Sequence, residues 1–394
     1  MDKNNLATKY SDILLGFIYA FIVFFEVMSL SSWHYLHSGF DSPNSKIIVS
    51  AFILIFIIGF LKNVKVLNLI IVSLLMALAA FYYIRYHEVG YFIMLLLALC
   101  AGMSMDFRQI LKIDCTVRIV TILFIAFLSF INFLPIDGNN SSITGSYFTK
   151  FVYGFSYPNQ LGYLIMIIGI EFVFVCNSMK LNRKFLVLAI AMAAEFYLDY
   201  LTGLLGILLF MFLYLWLSLP KYGTNKGNII ILLCLLLIPF FVFISIYVST
   251  KYSSTDPLWN KLNQLMSLRF PIWQYYYNGW GPNLFGNFID VGSKTIGVVG
   301  YGAFDGAFLF FLLKFGAFSL FLIWILVLTV FLTKKEVDNK IALASLLLII
   351  VITGIPETLG FVVAYSSLFS LIGSYLFGEN KNINQATIGL REQN

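Results

Sequence analysis

At 394 residues, 60% hydrophobic and only 11% charged, with a mean hydropathy of +0.89, the chain is too apolar to be a water-soluble globule. Soluble domains carry about a quarter charged residues, so the expected solvent is lipid. The net charge of +6 is no nucleic-acid signature in such a chain; its distribution marks the sides of a membrane instead.

Apolar runs of about 17–25 residues, the length a helix needs to cross the hydrocarbon core, recur along the chain. They are continuous, whereas strands of a membrane barrel alternate over about ten residues, so a barrel is excluded and an all-α polytopic membrane protein is expected. The first run, 13–30, is too long for a signal peptide and is followed by SSWHYLHSG instead of a small-residue cleavage site. It reads as a retained first span. Twelve spans are predicted: 13–31, 47–61, 66–84, 91–105, 119–134, 161–178, 185–200, 203–219, 229–249, 306–331, 341–355 and 361–377.

Charge in the loops then sets the topology. Alternate loops hold Lys62 and Lys65; Arg108, Lys112 and Arg118; Lys180, Arg183 and Lys184; Lys221 and Lys226; Lys334, Lys335 and Lys340. The tails add Lys3, Lys9, Lys381 and Arg391, while the other short loops have only Lys46, Arg85 and Lys150. Positive charge marks the cytoplasmic side, which places both termini inside and one large loop, 250–305, outside. The segments 32–46, 85–90, 135–160, 199–202 and the turn at Glu357 share that outer face. Residues 1–378 read as one integral membrane domain, and 379–394 as a disordered cytoplasmic tail. No internal repeat is visible, which argues against a transporter built from duplicated halves. The four cysteines have no paired spacing, so neither a disulfide framework nor a metal site is indicated, and no cofactor motif occurs.

Three outer segments carry the candidate chemistry. In SYFTKFVYGFSYPNQLGY (146–163), Lys150 is the only cation, and Tyr157 and Asn159 sit in a Gly/Pro-punctuated turn; the plainer reading is a turn with Asn159 as helix cap. In LWNKLNQLMSLRF, Leu258, Leu262, Leu265 and Leu268 recur at helical spacing, predicting an amphipathic surface helix that ends near Pro271. Arg269 is the only arginine of that loop, and a guanidinium suits bidentate capture of a diphosphate. Trp259, Trp273 and Trp280 crowd around Tyr275–Tyr277, either as interface anchors or as faces that stack on sugar rings. In GYGAFDGAFLFFLLKFGAF (300–318), Asp305 stands where a span leaves the outer surface, as a general base or as a carboxylate complementing the helix dipole.

Lys314 lies deeper, where a lysine needs a partner; Glu26, Glu171 and the trio Glu195, Asp199 and Thr202, expected on one helical face, are the candidates. Glu357, in GIPETLG at an outer helix end, completes the set.

The order of these motifs resembles that of bacterial polysaccharide repeat-unit polymerases (Wzy-type), in the superfamily that includes the O-antigen ligases. YGFSYPNQLG resembles the family's Gly-Phe…Pro-Asn…Gly motif. SLRFPIWQYYYNGWGPNLFGN is similar to its Arg…Trp…Phe-Gly segment, and FDGAFLFFLLKFGAF to its Asp-Asn-x-Tyr-Leu…Gly segment. GIPETLGF is similar to its late Glu-bearing turn. The resemblance covers roughly 145–375.

It implies a GT-C-like, metal-independent membrane glycosyltransferase without cofactors. Such an enzyme moves a glycan from a polyprenyl (undecaprenyl) diphosphate to the terminal sugar of another lipid-linked repeat unit. The catalytic pair would be Arg269, on the diphosphate, and Asp305, on the acceptor hydroxyl. Lys150, Tyr157, Asn159, Trp273, Lys314 and Glu357 would bind substrate. Expected partners are the lipid-linked oligosaccharides, membrane lipids, a chain-length regulator and a flippase. Two departures from the pattern stand out. DYLTGLLGIL lacks the arginine of the family's Thr-x-Ser-Arg span, and Gly306 replaces an asparagine. A ligase acting on a different acceptor is the nearest competing reading; a flippase for lipid-linked sugars is a more distant one.

Overall fold

Why the chain folds as it does begins with its solvent: helices satisfy every backbone group internally, which lipid demands. The computed structural model describes residues 3–33, 41–62, 66–87, 90–134, 152–219, 225–289 and 304–378. In chain order the helices are α1 (Lys3–Met28), α2 (Asp41–Lys62), α3 (Val66–Tyr86), α4 (Tyr91–Gly102), α5 (Phe107–Phe130), α6 (Pro158–Val175), α7 (Leu181–Tyr197) and α8 (Leu201–Ser218). There follow α9 (Lys226–Lys251), α10 (Pro257–Leu265), α11 (Phe270–Trp280), α12 (Ala307–Phe310), α13 (Ala317–Leu332), α14 (Val337–Thr353) and α15 (Leu368–Phe377). Among the described residues the sole β contact is an isolated bridge between Ser31 and Phe155. Among the described residues five helices are long and apolar enough to cross a membrane, those at Tyr10–Met28, Asn68–Tyr86, Phe107–Phe130, Leu201–Ser218 and Lys226–Lys251. The protein is a helical, membrane-embedded one.

Helices buried on all sides form the centre, as expected of elements apolar all round. Phe92–Gly102 of α4 are all buried, as is most of α14. α4 packs on α15, and α9 packs on α14. At the α4–α15 crossing Gly102 lies against the Ser370 carbonyl and Gly373 against the Leu99 carbonyl, with no room for a Cβ at either. Small residues let membrane helices approach this closely.

Four departures from the predicted spans have physical causes. First, α5 begins at Phe107, capped by Asp106, whose side chain accepts from the Arg108 and Gln109 backbone N–H groups. Arg118, expected as a cytoplasmic loop cation, is therefore inside the bundle at 1% exposure. Its guanidinium pairs with Asp114 one turn earlier and donates to the carbonyls of Val363 (3.0 Å) and Ala364.

Second, those carbonyls are free because the predicted span 361–377 is helical only from Leu368, apart from a short 3₁₀ turn at Leu359–Phe361. Non-helical backbone is tolerated at membrane depth where protein satisfies it. Arg118 holds one side of this segment, and Ser367 Oγ, donating to Glu171 Oε1 at 2.7 Å, holds the other.

Third, the predicted span 306–331 breaks at Gly316. A π-helical turn, Phe311–Phe315, ends there with φ +88°. The opened backbone is taken up by the 283–287 segment: Ala317 and Phe318 N–H donate to Asn283 O and Leu284 O (2.9 and 3.0 Å), and Asn287 N–H donates to Leu313 O (2.9 Å). Gly286 and Gly316 touch backbone to backbone, so neither position admits a side chain.

Fourth, α7 ends at Tyr197 and Asp199 has φ +52°, so Glu195, Asp199 and Thr202 do not share one helical face.

The amphipathic surface helix is α10, with Asp256 capping it through the Leu258 N–H. Leu258, Leu262, Leu265 and Leu268 are all exposed, an apolar face for lipid. Pro271 does not end this helix. It lies in the first turn of α11, where its missing N–H costs nothing.

Candidate functional site

The turn between α10 and α11 aims Arg269. Ser267 and Leu268 both have positive φ (+52° and +62°), which reverses the chain within two residues. Buried Asn263 locks this reversal: its Oδ1 accepts from the Phe270 N–H (3.0 Å), its carbonyl from the Leu268 N–H (2.8 Å), and its Nδ2 donates to Tyr252 OH (3.3 Å). Phe270 packs among Tyr252, Trp259 and Trp273. In the sequence Asn263 carries no signal, being one more asparagine in a polar loop.

Arg269 faces two carboxylates from distant parts of the chain. Its Nη2 lies 2.7 Å from Glu357 Oε1 and 3.3 Å from Asp305 Oδ2. Glu357 is 1% exposed and Asp305 24% exposed, so the buried carboxylate is the closer one. The Ala307 N–H donates to Gly354 O (2.8 Å) and Glu357 O (3.3 Å), docking the start of α12 onto the end of α14. Trp273 Nε1–H donates to the Asp305 carbonyl at 2.7 Å.

The backbone turns into α12 at Gly306, with φ +100°; a Cβ there would lie 2.7–2.9 Å from the Trp273 indole. Glycine at 306 is thus the counterpart of a tryptophan packed against that turn.

All three charged groups lie in segments between apolar spans, and their electrostatics follow from shared burial. Burial pushes the Glu357 carboxyl up to about 8, Arg269 pulling it back only in part. Burial also raises Asp305 above the ordinary carboxylate range, against the pull of the same guanidinium. For Arg269, burial works against the charge, but Glu357 and Asp305 outweigh it, so the guanidinium is held more firmly protonated. One cation serves two carboxylates, and the set favours keeping a proton on one of them. Around it, Arg269 Nε is buried without a hydrogen-bond partner among the described residues, and the Tyr200 hydroxyl lies against the Glu357 carboxyl. A buried guanidinium nitrogen left unpaired beside two carboxylates and a phenol suits a polar ligand. Tyr200, at the mouth of α8 and within the field of Glu357 and Arg269, was not singled out from the sequence.

The other expected residues fall as follows. Trp273 is 1% exposed, so its ring has no face open to a sugar; what it holds is the Asp305 backbone. Tyr157 is exposed and, rather than Asn159, occupies the cap of α6, its N–H donating to Gln160 Oε1 (3.1 Å). Asn159 lies in the first turn of α6, and the next turn reaches the site region through Tyr163 OH, 3.0 Å from Thr353 Oγ1. Lys314 sits in the π turn over the rings of Phe310 and Phe315, 5.9 and 6.0 Å from their centroids, a cation–π setting. Glu195 is buried with its carboxylate between Gly162 and Gly203. Lys150 lies outside the described residues, as does the expected tail 379–394.

Among the described residues no group of His, Cys, Asp and Glu has the make-up of a metal site. No protein-family model, no curated protein and no solved structure matches this chain.

Proposed function

We propose that the protein is a polysaccharide repeat-unit polymerase of the cell membrane, working on the extracytoplasmic face without a metal. In this reading the chain crosses twelve times, both termini are cytoplasmic and the 250–305 loop is outside. The grouping of contacts favours it. Arg85 and Tyr86 bond to Gly286 O and Phe285 O at one end of the bundle. Arg108 with Asp338, Lys226 with the Leu217 and Leu219 carbonyls, and Lys340 with the Phe331 carbonyl form the basic loops of another set.

The observation that carries the reading is Arg269 standing between Asp305 and Glu357. These residues come from three of the segments that resemble the polymerases. A sugar diphosphate is already activated, so the enzyme must hold a departing diphosphate and align a hydroxyl. A fixed guanidinium at a low-dielectric boundary does the first. A carboxylate within reach does the second.

The test is Arg269→Ala, purified and given lipid-linked repeat units alone. Wild type should build a ladder of polymer, and the variant should fall by at least about 10²-fold, the usual effect of losing one charge-stabilising donor. A full ladder from the variant would remove Arg269 from the site. A wild-type protein that transfers glycan only to an added, different acceptor is a ligase instead.

A further inference from the structure

One guanidinium flanked by two carboxylates is an awkward cradle for an anion. Arg269 brings one positive charge, while Asp305 and Glu357, when ionised, bring two negative ones. The diphosphate of a carrier-linked sugar is a diester and adds two more. Either a carboxylate leaves the guanidinium or the site takes up a proton.

The two carboxylates are not equivalent. Glu357 is at 2.7 Å and 1% exposed, behind the guanidinium; Asp305 is at 3.3 Å and 24% exposed, on the open side. The Asp305 backbone is fixed by the Trp273 indole and by the turn at Gly306, so its side chain can swing while the chain stays put.

We propose that the donor's diphosphate displaces Asp305, and not Glu357, from Arg269, and that the displaced carboxylate is then the base for the acceptor hydroxyl. This rests on the glycosyl-transfer reading above. Losing a cation and gaining an anionic neighbour both raise a carboxylate's proton affinity. In the full complex the acceptor oxygen bonds to the anomeric carbon, and the carbon–oxygen bond to the diphosphate breaks, its electron pair leaving on the diphosphate oxygen. The hydroxyl proton passes to Asp305. Arg269 keeps the leaving diphosphate, and Glu357 keeps Arg269.

Before the donor arrives, Asp305 is held in the ion pair. A donor that binds alone leaves it protonated from solvent, so the acceptor hydroxyl must be in place when the diphosphate displaces it for the hydroxyl's own proton to be the one taken. Among the described residues, the other titratable groups near the two carboxylates are the phenols of Tyr163 of α6, Tyr200 before α8, Tyr365 of the 354–367 segment and Tyr91 beyond it, uncharged near neutral pH, and, next to Tyr200, the buried Glu195 carboxyl.

With donor but no acceptor, the proton must come from solvent, and that is measurable. The probe is a symmetrical short-chain dialkyl diphosphate diester, which holds its charges without a titratable proton near pH 7. Isothermal titration calorimetry of the full-length protein, in two buffers of different ionisation heat, counts protons taken up on binding. Wild type should take up about one proton per diphosphate bound, and Asp305→Asn should bind at least as tightly and take up none. Binding without uptake, uptake that survives in Asp305→Asn, or no binding at all would each overturn the proposal.

Where Asp305→Asn does not fold, the infrared difference spectrum of wild type on probe addition answers the same question. A new protonated-carboxyl band supports displacement, and none refutes it. The polymer ladder is scored separately: a ladder without proton uptake rejects the switch and leaves the polymerase, and uptake without any glycan transfer does the reverse.

Discussion

Replacing Arg118 by methionine tests the most costly arrangement in the bundle. The wild-type guanidinium is 1% exposed, pairs with Asp114, itself 0% exposed, and donates to the carbonyls of Val363 and Ala364. Methionine fills similar volume but leaves Asp114 without its cation and two buried carbonyls without donors. Breaking a buried pair from one side costs about 3–5 kcal/mol, and each orphaned buried acceptor about 1–3 kcal/mol before relaxation. Because Asp114 still accepts from Tyr19 OH at 3.3 Å, about 4 kcal/mol is the net expectation. At about 2 °C per kcal/mol, that is a fall of about 8 °C in the thermal midpoint.

The assay is tryptophan-fluorescence melting of the detergent-purified protein. Adding Asp114→Leu should recover part of the loss, since the stranded carboxylate is then gone. A single variant within about 2 °C of wild type, the range expected of a solvated surface arginine, would refute the reasoning. So would a double variant whose loss equals the sum of the two singles.

The remaining expectations concern the site and its support. The folded Glu357 carboxyl lies at about 8, above the ordinary value of 4.5, so its contribution to stability is fully present below 4.5 and lost as pH rises through 8. The thermal midpoint should therefore decline between about pH 5 and 8 and level off above, and Glu357→Gln should flatten that decline; a midpoint rising across this range would contradict it. Gly306→Ala combines a strained φ of +100° with a Cβ 2.7–2.9 Å from the Trp273 ring, and should cost about 2–3 kcal/mol in a melt. Leu262→Glu with Leu265→Glu should lift α10 from the bilayer, losing about 3 kcal/mol or more of apolar burial. Quenching of Trp259 by brominated lipids, isolated with a Trp259→Phe reference, should then drop; unchanged quenching would mean that this face does not meet lipid.

Much of the helical plan is visible in the apolar runs because length and continuity suffice to locate a helix in lipid. What escaped were the interruptions. Ser267 and Leu268 take positive φ without being glycine or asparagine, so the split between α10 and α11 has no local signal. FVVAY, at the start of the predicted span 361–377, is apolar enough to read as helix, yet its backbone from Val362 is non-helical and held by Arg118, 246 residues before Ala364. Arg118 itself was read by charge alone, which cannot distinguish a loop cation from one paired one turn away. Arg269, Asp305 and Glu357 each stood out in their own segments. That one guanidinium faces both carboxylates depends on α12 docking on the end of α14, which no local pattern encodes.

The exposed leucines of α10 also bear on how the proposed reactants meet. In the proposed arrangement they would lie on lipid and hold the start of α11, and with it Arg269, at the level of the membrane surface. A diphosphate tethered to a polyprenyl chain travels at that same level. Donor and acceptor would then approach by lateral diffusion in a plane, already at the right height, with no lifting out of the lipid before the guanidinium is reached. Turnover in such a system follows the number of lipid-linked units per membrane area, and diluting the vesicles at constant surface density should leave it unchanged.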